Sequence, residues 1–217
     1  MDESSYISPS LLRLADQFRS LPGIGRKSAM RLAFSMLGKS DEEAQAFVDA
    51  VRGTGRYNAQ RVLIVSGYWT NIDKTTSSRF QMPEDMVNDR LMVSVHYVDN
   101  SMYWSNKIGG EEWLKYIDSQ CAELKKAFLD NDIPVFMGET TSTYTASNMA
   151  KDATHTDSSE CLSIVLGKLT ELGIVPVIWD TDSHFYSRTT YKIVNESDRK
   201  VIREYSDKLK ANLEAQQ

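Results

Sequence analysis

Short apolar runs alternate with helical patterns along most of the chain. Four apolar runs of strand length predict β-strands: Arg61–Ser66, Leu91–Val95, the run from Pro134 to the acid Glu139, and Ile174–Trp179. Apolar residues at intervals of three and four predict helices that begin near Ser8, Arg26, Ser40, Glu111, Asp157 and Asn195. The fourth of these helices is expected to extend to Asn131 and the fifth to stop at Gly173, and Asp180–Tyr191 is expected to be a polar aromatic loop. Strands that alternate with helices favour an α/β fold with a parallel sheet and right-handed crossovers.

The residues at the carboxyl ends of these strands are aromatic or ionisable. They are Tyr68, Trp69, His96, Tyr97, Glu139 and Trp179. Parallel strands place their carboxyl ends at one edge of a sheet, where α/β proteins bind ligands. Aromatic rings stack on the apolar faces of sugars while carboxylates bind hydroxyls, so this rim predicts a carbohydrate cleft. The alternative for Glu139 is an ordinary solvated loop acid.

A turn with two glycines joins the first two predicted helices. The turn reads Leu21-Pro22-Gly23-Ile24-Gly25, and Arg26 and Lys27 open the second helix. The free amides of a helix N-terminus next to two cations are suited to binding a phosphate. The alternative is a plain helical hairpin in which the glycines only shape the turn.

Composition narrows the classes of function. The chain has 217 residues, 41% of them hydrophobic, and a net charge of −5, which disfavours nucleic-acid binding over the whole surface. The acidic start predicts no signal peptide, and no run is long enough for a membrane span, so we expect a cytoplasmic protein with no membrane partner. Cys121 and Cys161 lie forty residues apart at apolar helix positions and are expected to be buried thiols, and the scattered histidines predict no metal site and no cofactor.

The segment Leu21–Phe34, Leu-Pro-Gly-Ile-Gly-Arg-Lys-Ser-Ala-Met-Arg-Leu-Ala-Phe, resembles the helix-hairpin-helix segment of the bacterial recombination mediator RecR. The resemblance covers residues 4 to about 44 and implies DNA binding through Gly23, Gly25, Arg26 and Lys27. The zinc site and Toprim domain that follow in that family do not follow here.

Four later segments resemble the second half of a glycoside hydrolase family 5 endoglucanase, from about residue 45 to the C-terminus. They read Leu-Ile-Val-Ser-Gly-Tyr-Trp-Thr-Asn, Met-Val-Ser-Val-His-Tyr, Val-Phe-Met-Gly-Glu-Thr and Pro-Val-Ile-Trp-Asp. The resemblance implies a four-stranded parallel half of a (β/α)8 barrel, with strands five to eight of the family present. It divides the chain into an N-terminal helical hairpin segment, residues 1–44, and a half-barrel, residues 45–217.

The second resemblance also implies roles for individual residues. Glu139 corresponds to the catalytic nucleophile, His96 lies beside the cleavage point, and Trp179 is a sugar platform, with Trp69 and Tyr97 as further substrate contacts. One position departs from the family pattern, since Val98 stands where the family has the tyrosine that steadies the nucleophile. Tyr97 is the substitute that the sequence offers.

A larger departure concerns the second carboxyl group. A retaining glycosidase needs an acid about 5 Å from its nucleophile. The family carries that acid in an Asn-Glu-Pro motif on strand four, and no Asn-Glu-Pro occurs in the 217 residues. The expectation is a cellulase-like fragment with weak binding of β-glucan or cello-oligosaccharides and little or no hydrolysis, unless Asp180 or Asp182 replaces the acid.

Further alternatives concern the chain as a whole. An open four-stranded sheet has two unpaired edges and an exposed face, so two copies could close an eight-stranded barrel as a homodimer. Alternatively, the N-terminal helices fold over the exposed face. Between Gly38 and Phe47 the sequence changes abruptly from helical patterns alone to alternating strands and helices, which also fits a chimera without a selected function. A DNA-binding protein of RecR type with a passenger α/β domain is the remaining alternative.

Overall fold

The computed structural model describes residues 15–16, 19, 24–37, 41–180 and 185–215. Its chain divides into two compact units, one of Met1–Gln60 with Gln81–Met86 and the other of Arg61–Phe80 with Val87–Gln217. The predicted first helix lies mostly outside the described residues, as does Gly23. Within the described part, Ala15, Asp16 and Arg19 are helical and Ala15 is buried.

The first unit contains helices α1 (Arg26–Leu37) and α2 (Asp41–Gly53) and a 3-10 turn at Arg56–Gln60. The segment Gln81–Met86 is fastened to α2. Arg52 Nε donates to Asp85 Oδ1 at 2.8 Å, and both side chains of this ion pair are almost fully buried. A buried charge pair is stable only when both groups are well paired, so the contact fixes this segment to the helix.

The second unit is built on a parallel sheet with the strand order β1-β2-β3-β4. The strands are β1 (Leu63–Val65), β2 (Leu91–His96), β3 (Val135–Thr141) and β4 (Val175–Trp179). The prediction of four parallel strands with helices between them is confirmed. The prediction that β3 ends at Glu139 is wrong, because Thr140 and Thr141 continue the ladder to Ile178 and Trp179 after a register shift.

The two faces of the sheet differ in burial. Val93 pairs with Val135 and Val95 with Met137, and all four side chains are buried on one face. Side chains alternate between faces along a strand, so the neighbouring positions form the opposite face. That face is open: Ile64 is 51%, Val175 49% and Val177 40% exposed.

Five further helices lie in the described residues of the second unit. They are α3 (Ile72–Thr75), α4 (Asn100–Trp104), α5 (Glu111–Ala127), α6 (Ser158–Glu171) and α7 (Glu196–Glu214). The predicted starts of the last two are confirmed, since the side chains of Asp157 and Asn195 accept backbone N–H groups of the first turns. The predicted stop of α6 is confirmed too, because Gly173 adopts a left-handed φ of 72°.

Some local predictions need correction. The helix expected to run from Glu111 to Asn131 ends at Ala127, and a separate 3-10 turn spans Leu129–Asn131. The break comes at Phe128, whose φ of −126° and ψ of −56° are not helical. The segment Asp180–Tyr191, expected to be a polar aromatic loop, contains β5 (Tyr186–Ser187), which pairs antiparallel with β6 (Lys192–Ile193). In the described part of the chain, no helix is long and apolar enough to cross a bilayer.

Candidate active site at the carboxyl ends of the strands

Three of the residues selected from the sequence converge at the ends of β2 and β3. Glu139 is 7% exposed, and the Tyr97 hydroxyl donates a short hydrogen bond to its Oε2. His96 Nδ1 lies 3.6 Å from the same oxygen. The rings of His96 and Tyr97 meet edge to face, with centroids 6.0 Å apart. The carboxylate is therefore held between a hydroxyl and an imidazole.

A break in the regular ladder produces this arrangement. The register between β2 and β3 shifts after Val95, which pairs His96 with Glu139. The next residue, Tyr97, has a left-handed φ of 51°, and its N–H donates to the carbonyl of Glu139 at 2.8 Å. Left-handed backbone is uncommon for a tyrosine and is frequent at functional sites. The turn brings the Tyr97 side chain back to Glu139, whereas Val98 is buried.

Gly138 gives the imidazole its space. A Cβ placed on Gly138 would lie 2.8 Å from His96 Nε2 and 3.1 Å from Ser94 Oγ. A side chain at this position would therefore push against the His96 ring. Glycine immediately before Glu139 is a packing requirement of the site.

Asp99 is a buried acid that was not selected from the sequence. It accepts hydrogen bonds at Oδ2 from the Tyr144 hydroxyl at 2.8 Å and from Trp113 Nε1 at 3.2 Å. Burial raises the pKa of Asp99 above its ordinary value, and these two hydrogen bonds oppose that rise. Since Asp99 follows β2 and Tyr144 follows β3, the contact joins the two loops of the rim. An acid three residues beyond His96 was the sequence signal for it.

The two tryptophans selected from the sequence lie at the ends of the edge strands. Trp69, in the 3-10 turn after β1, has a left-handed φ of 60° and is 57% exposed. Gly67 permits this turn, because a Cβ there would lie 2.5 Å from Thr75 Oγ1. Trp179 is half-buried as the last residue of β4 and pairs in register with Thr141. Both rings belong to the same end of the sheet as Glu139.

Of the two suggested replacement acids, Asp180 and Asp182, only the first lies among the described residues. Asp180 Oδ2 accepts the backbone N–H of Tyr186 at 2.8 Å, so it supports the turn that leads into β5. Asp182 lies outside the described residues.

The hairpin residues of the N-terminal segment are described from Ile24 onward. Gly25 precedes α1, and its carbonyl accepts the N–H of Ala29 at 2.9 Å. Arg26 and Lys27 in the first turn of α1 are exposed. Two cations are therefore accessible at this helix start.

The cysteines are free thiols in the interior, as predicted. Burial raises the pKa of Cys121 to about 11 and that of Cys161 to about 12. Groups of three or more potential metal ligands do not occur among the residues that the structure describes.

The larger part of the chain matches a known protein family. Residues 38–198 match the sequence model of cellulase, glycosyl hydrolase family 5. The chain belongs to glycosyl hydrolase family 5. Endoglucanase B of Ruminococcus albus is 30% identical over 165 residues, which are 73% of this chain and 37% of that protein. This family 5 chain thus spans little more than a third of the length of that relative.

A solved structure gives the corresponding fold. A GH5-4 broad specificity endoglucanase from an uncultured bovine rumen ciliate superposes with a TM-score of 0.63 and 28% identity, covering 82% of this chain and 55% of that one. The present sheet with its helices is therefore a partial family 5 (β/α)8 fold.

The N-terminal part matches a second family. Residues 11–54 match the helix-hairpin-helix model of RecR. The recombination protein RecR of Bifidobacterium adolescentis is 52% identical over 42 residues, which are 19% of this chain and 21% of that protein. The two family matches overlap at residues 38–54, where α2 lies.

Proposed function

We propose that the family 5 part is a β-glucan-binding half-site that retains the catalytic nucleophile, Glu139, and lacks the partner acid. The observation that supports this proposal is the convergence of the Tyr97 hydroxyl and the His96 imidazole on Glu139 Oε2. A carboxylate held in this way at the carboxyl end of a parallel strand is suited to attack a sugar ring placed over the rim.

The proposed chemistry of Glu139 is one half of a retaining reaction. Its carboxylate oxygen attacks the anomeric carbon, the bond from that carbon to the glycosidic oxygen breaks, and a glycosyl ester forms. The hydrogen bond from the Tyr97 hydroxyl to Oε2 orients the carboxylate of Glu139. Trp69 and Trp179 contact the sugar rings on either side.

The leaving glycosidic oxygen must receive a proton, and this step limits the reaction. The family motif that carries the acid, Asn-Glu-Pro, is absent from the sequence. Loss of a general acid removes a factor of about 10² to 10⁴ in rate. We therefore expect weak binding of cello-oligosaccharides and little or no hydrolysis by this chain.

The division into residues 1–44 and 45–217 belongs to the same proposal. A junction at this point lies inside the overlap of the two family matches. The chain is then a chimera of a RecR-like hairpin segment and a family 5 half-barrel.

An activated substrate tests the nucleophile without requiring the missing acid. Dinitrophenolate leaves without protonation, so 2,4-dinitrophenyl 2-deoxy-2-fluoro-β-cellobioside requires only a nucleophile. We expect intact-mass spectrometry to show one added fluorocellobiosyl group, located at Glu139 by peptide mapping and absent in Glu139→Gln. A reducing-sugar assay with cellohexaose should show no turnover above that of Glu139→Gln. Failure to label Glu139 in folded protein, or turnover at the level of a complete endoglucanase, contradicts the proposal.

DNA binding by the hairpin is the second candidate. The RecR match at residues 11–54 and the exposed Arg26 and Lys27 at the start of α1 support it. Phosphate contacts by such cations make affinity fall with salt concentration. A gel-shift titration should show binding that weakens with salt and is lost in Lys27→Glu, with Lys200→Glu, at an exposed site on α7, as the control. A shift that persists unchanged in Lys27→Glu rejects use of the hairpin.

A further inference from the structure

Trp104 is an exposed tryptophan that has no role in the site described above. It ends the short helix α4 and is 77% exposed, whereas Trp113 is completely buried. Single exposed apolar side chains are common on protein surfaces, so exposure alone does not indicate a binding site. The contacts that hold this ring in one orientation are the observation that points to a binding site.

The indole of Trp104 is held at both its polar edge and its flank. Its Nε1–H donates to Asn100 Oδ1 at 2.9 Å, one helical turn earlier. Its neighbour Tyr103 packs against the ring edge to face, with centroids 5.5 Å apart. Two such contacts restrict the rotation of a side chain that gains little from burial. The ring is therefore orientated before any ligand arrives, which lowers the entropic cost of binding.

The helix that carries Trp104 is anchored to the interior of the rim. Tyr103 contacts Tyr144 at a centroid distance of 6.3 Å, and Tyr144 contacts Trp113 at 6.2 Å. Asp99, which directly precedes α4, accepts hydrogen bonds from both of these inner residues. The exposed ring thus stands on a rigid base that joins the loops after β2 and β3.

Trp104 and its base follow the same two strands that carry His96 and the proposed nucleophile. α4 starts four residues after His96, which pairs with Glu139, and Tyr144 lies five residues after Glu139. Under the proposed function, a glucan chain longer than the sugars at Glu139 extends over the rim that these loops form. The pyranose rings of a β-glucan present apolar C–H faces, which stack on flat aromatic rings.

We propose that Trp104 is an aromatic platform for a β-glucan chain, beyond the sugar residues that contact Glu139. The inference rests on the proposed glucan-binding function. It assigns to this surface a ligand class, a linear β-1,4-linked oligosaccharide, and a length requirement, because a short ligand at Glu139 does not extend to the platform.

Calorimetry with ligands of two lengths tests the platform. For cellohexaose we expect Trp104→Ala to bind about three- to tenfold more weakly than the wild type, in line with the value of one aromatic contact. Trp104→Phe should recover most of the affinity, and cellobiose binding should be unchanged in both variants. Tyr57→Ala, at an 86% exposed aromatic of the first unit, is the control that should behave as wild type.

A spectroscopic readout on the wild-type chain makes the test independent of variant folding. The four tryptophan indole N–H resonances are resolved by 15N labelling, and Trp104→Phe assigns one of them. Cellohexaose should shift the Trp104 resonance, and cellobiose should not. If cellohexaose binds without shifting it, and Trp104→Ala binds as wild type, the platform is rejected while the proposed function stands. If the wild type binds no cellohexaose, both are rejected.

Discussion

The Tyr97 hydroxyl donates a hydrogen bond to the carboxylate of Glu139, which lies 42 positions later in the chain. The family pattern implies a tyrosine one position further along, where this chain has the buried Val98. The left-handed backbone of Tyr97 permits the preceding residue to supply a hydroxyl to the carboxylate. The carboxylate therefore keeps a hydrogen-bond donor although Val98 supplies none.

Tyr97→Phe tests whether this hydrogen bond contributes to the reactivity of Glu139. A hydrogen bond to a charged group is worth about 1.5–3 kcal/mol. We expect labelling of Glu139 by the fluorinated cellobioside to slow by about tenfold or more in Tyr97→Phe. Tyr116→Phe, which loses a hydrogen bond to Ser101 on the helices, is the matched control and should label at the wild-type rate. Equal rates in the two variants would show that the Tyr97 contact is not used.

Gly138→Ala tests the position of the imidazole. The added methyl group would lie 2.8 Å from His96 Nε2, closer than real Cβ atoms approach, so the ring must shift from its present position beside Glu139. Overpacking of this kind costs about 1–3 kcal/mol, and we expect a lower melting temperature together with slower labelling. Gly53→Ala at the end of α2 meets no atom within 4 Å and serves as the control. A Gly138→Ala variant that labels normally would indicate that His96 does not act at Glu139.

Asp99 predicts a dependence of stability on pH. Its pKa in the folded chain is raised by burial above the unfolded value of about 4. The contribution of the Asp99 carboxyl to the free energy of unfolding is complete below pH about 4, and it is lost as the pH rises through the raised pKa. Asp99→Asn retains an acceptor for Tyr144 and Trp113 but cannot ionise.

Urea unfolding of both proteins between pH 4 and 8 measures this contribution. The free energy of unfolding of the wild type should fall relative to that of Asp99→Asn as the pH rises. Parallel curves over the whole range would mean that Asp99 does not titrate in this window. The same experiment on Asp207→Asn, at an exposed site of α7, gives the background.

The open face of the sheet predicts self-association. Ile64, Val175 and Val177 expose apolar surface on β1 and β4, which are the first and last strands of the order β1-β2-β3-β4. A second copy could pair with both edges in the parallel sense and complete eight strands. We expect light scattering to give the mass of a dimer for the wild type and a smaller mass for Val177→Lys. Val194→Lys, at a 62% exposed position outside the strands, should remain dimeric, and a wild-type monomer at all concentrations would contradict the prediction.

Local patterns in the sequence predicted the four strands of the parallel sheet, most of the helices and the edge of the sheet where Glu139 lies. Alternation of side chains and spacing of apolar residues are local properties, and helix caps such as Asp157 and Asn195 act on the backbone beside them. For the same reason His96, Tyr97 and Glu139 could be placed at the rim without coordinates.

The packing of distant segments specifies which atoms meet there. The choice of Tyr97 over Val98 depends on a register shift, and a register shift depends on the neighbouring strand rather than on the residues that shift. The role of Gly138 follows from an imidazole on that neighbouring strand, and Asp99 is buried because Tyr144 and Trp113 close over it from distant segments. Contacts between residues far apart in sequence have no local pattern, so only the folded chain specifies them.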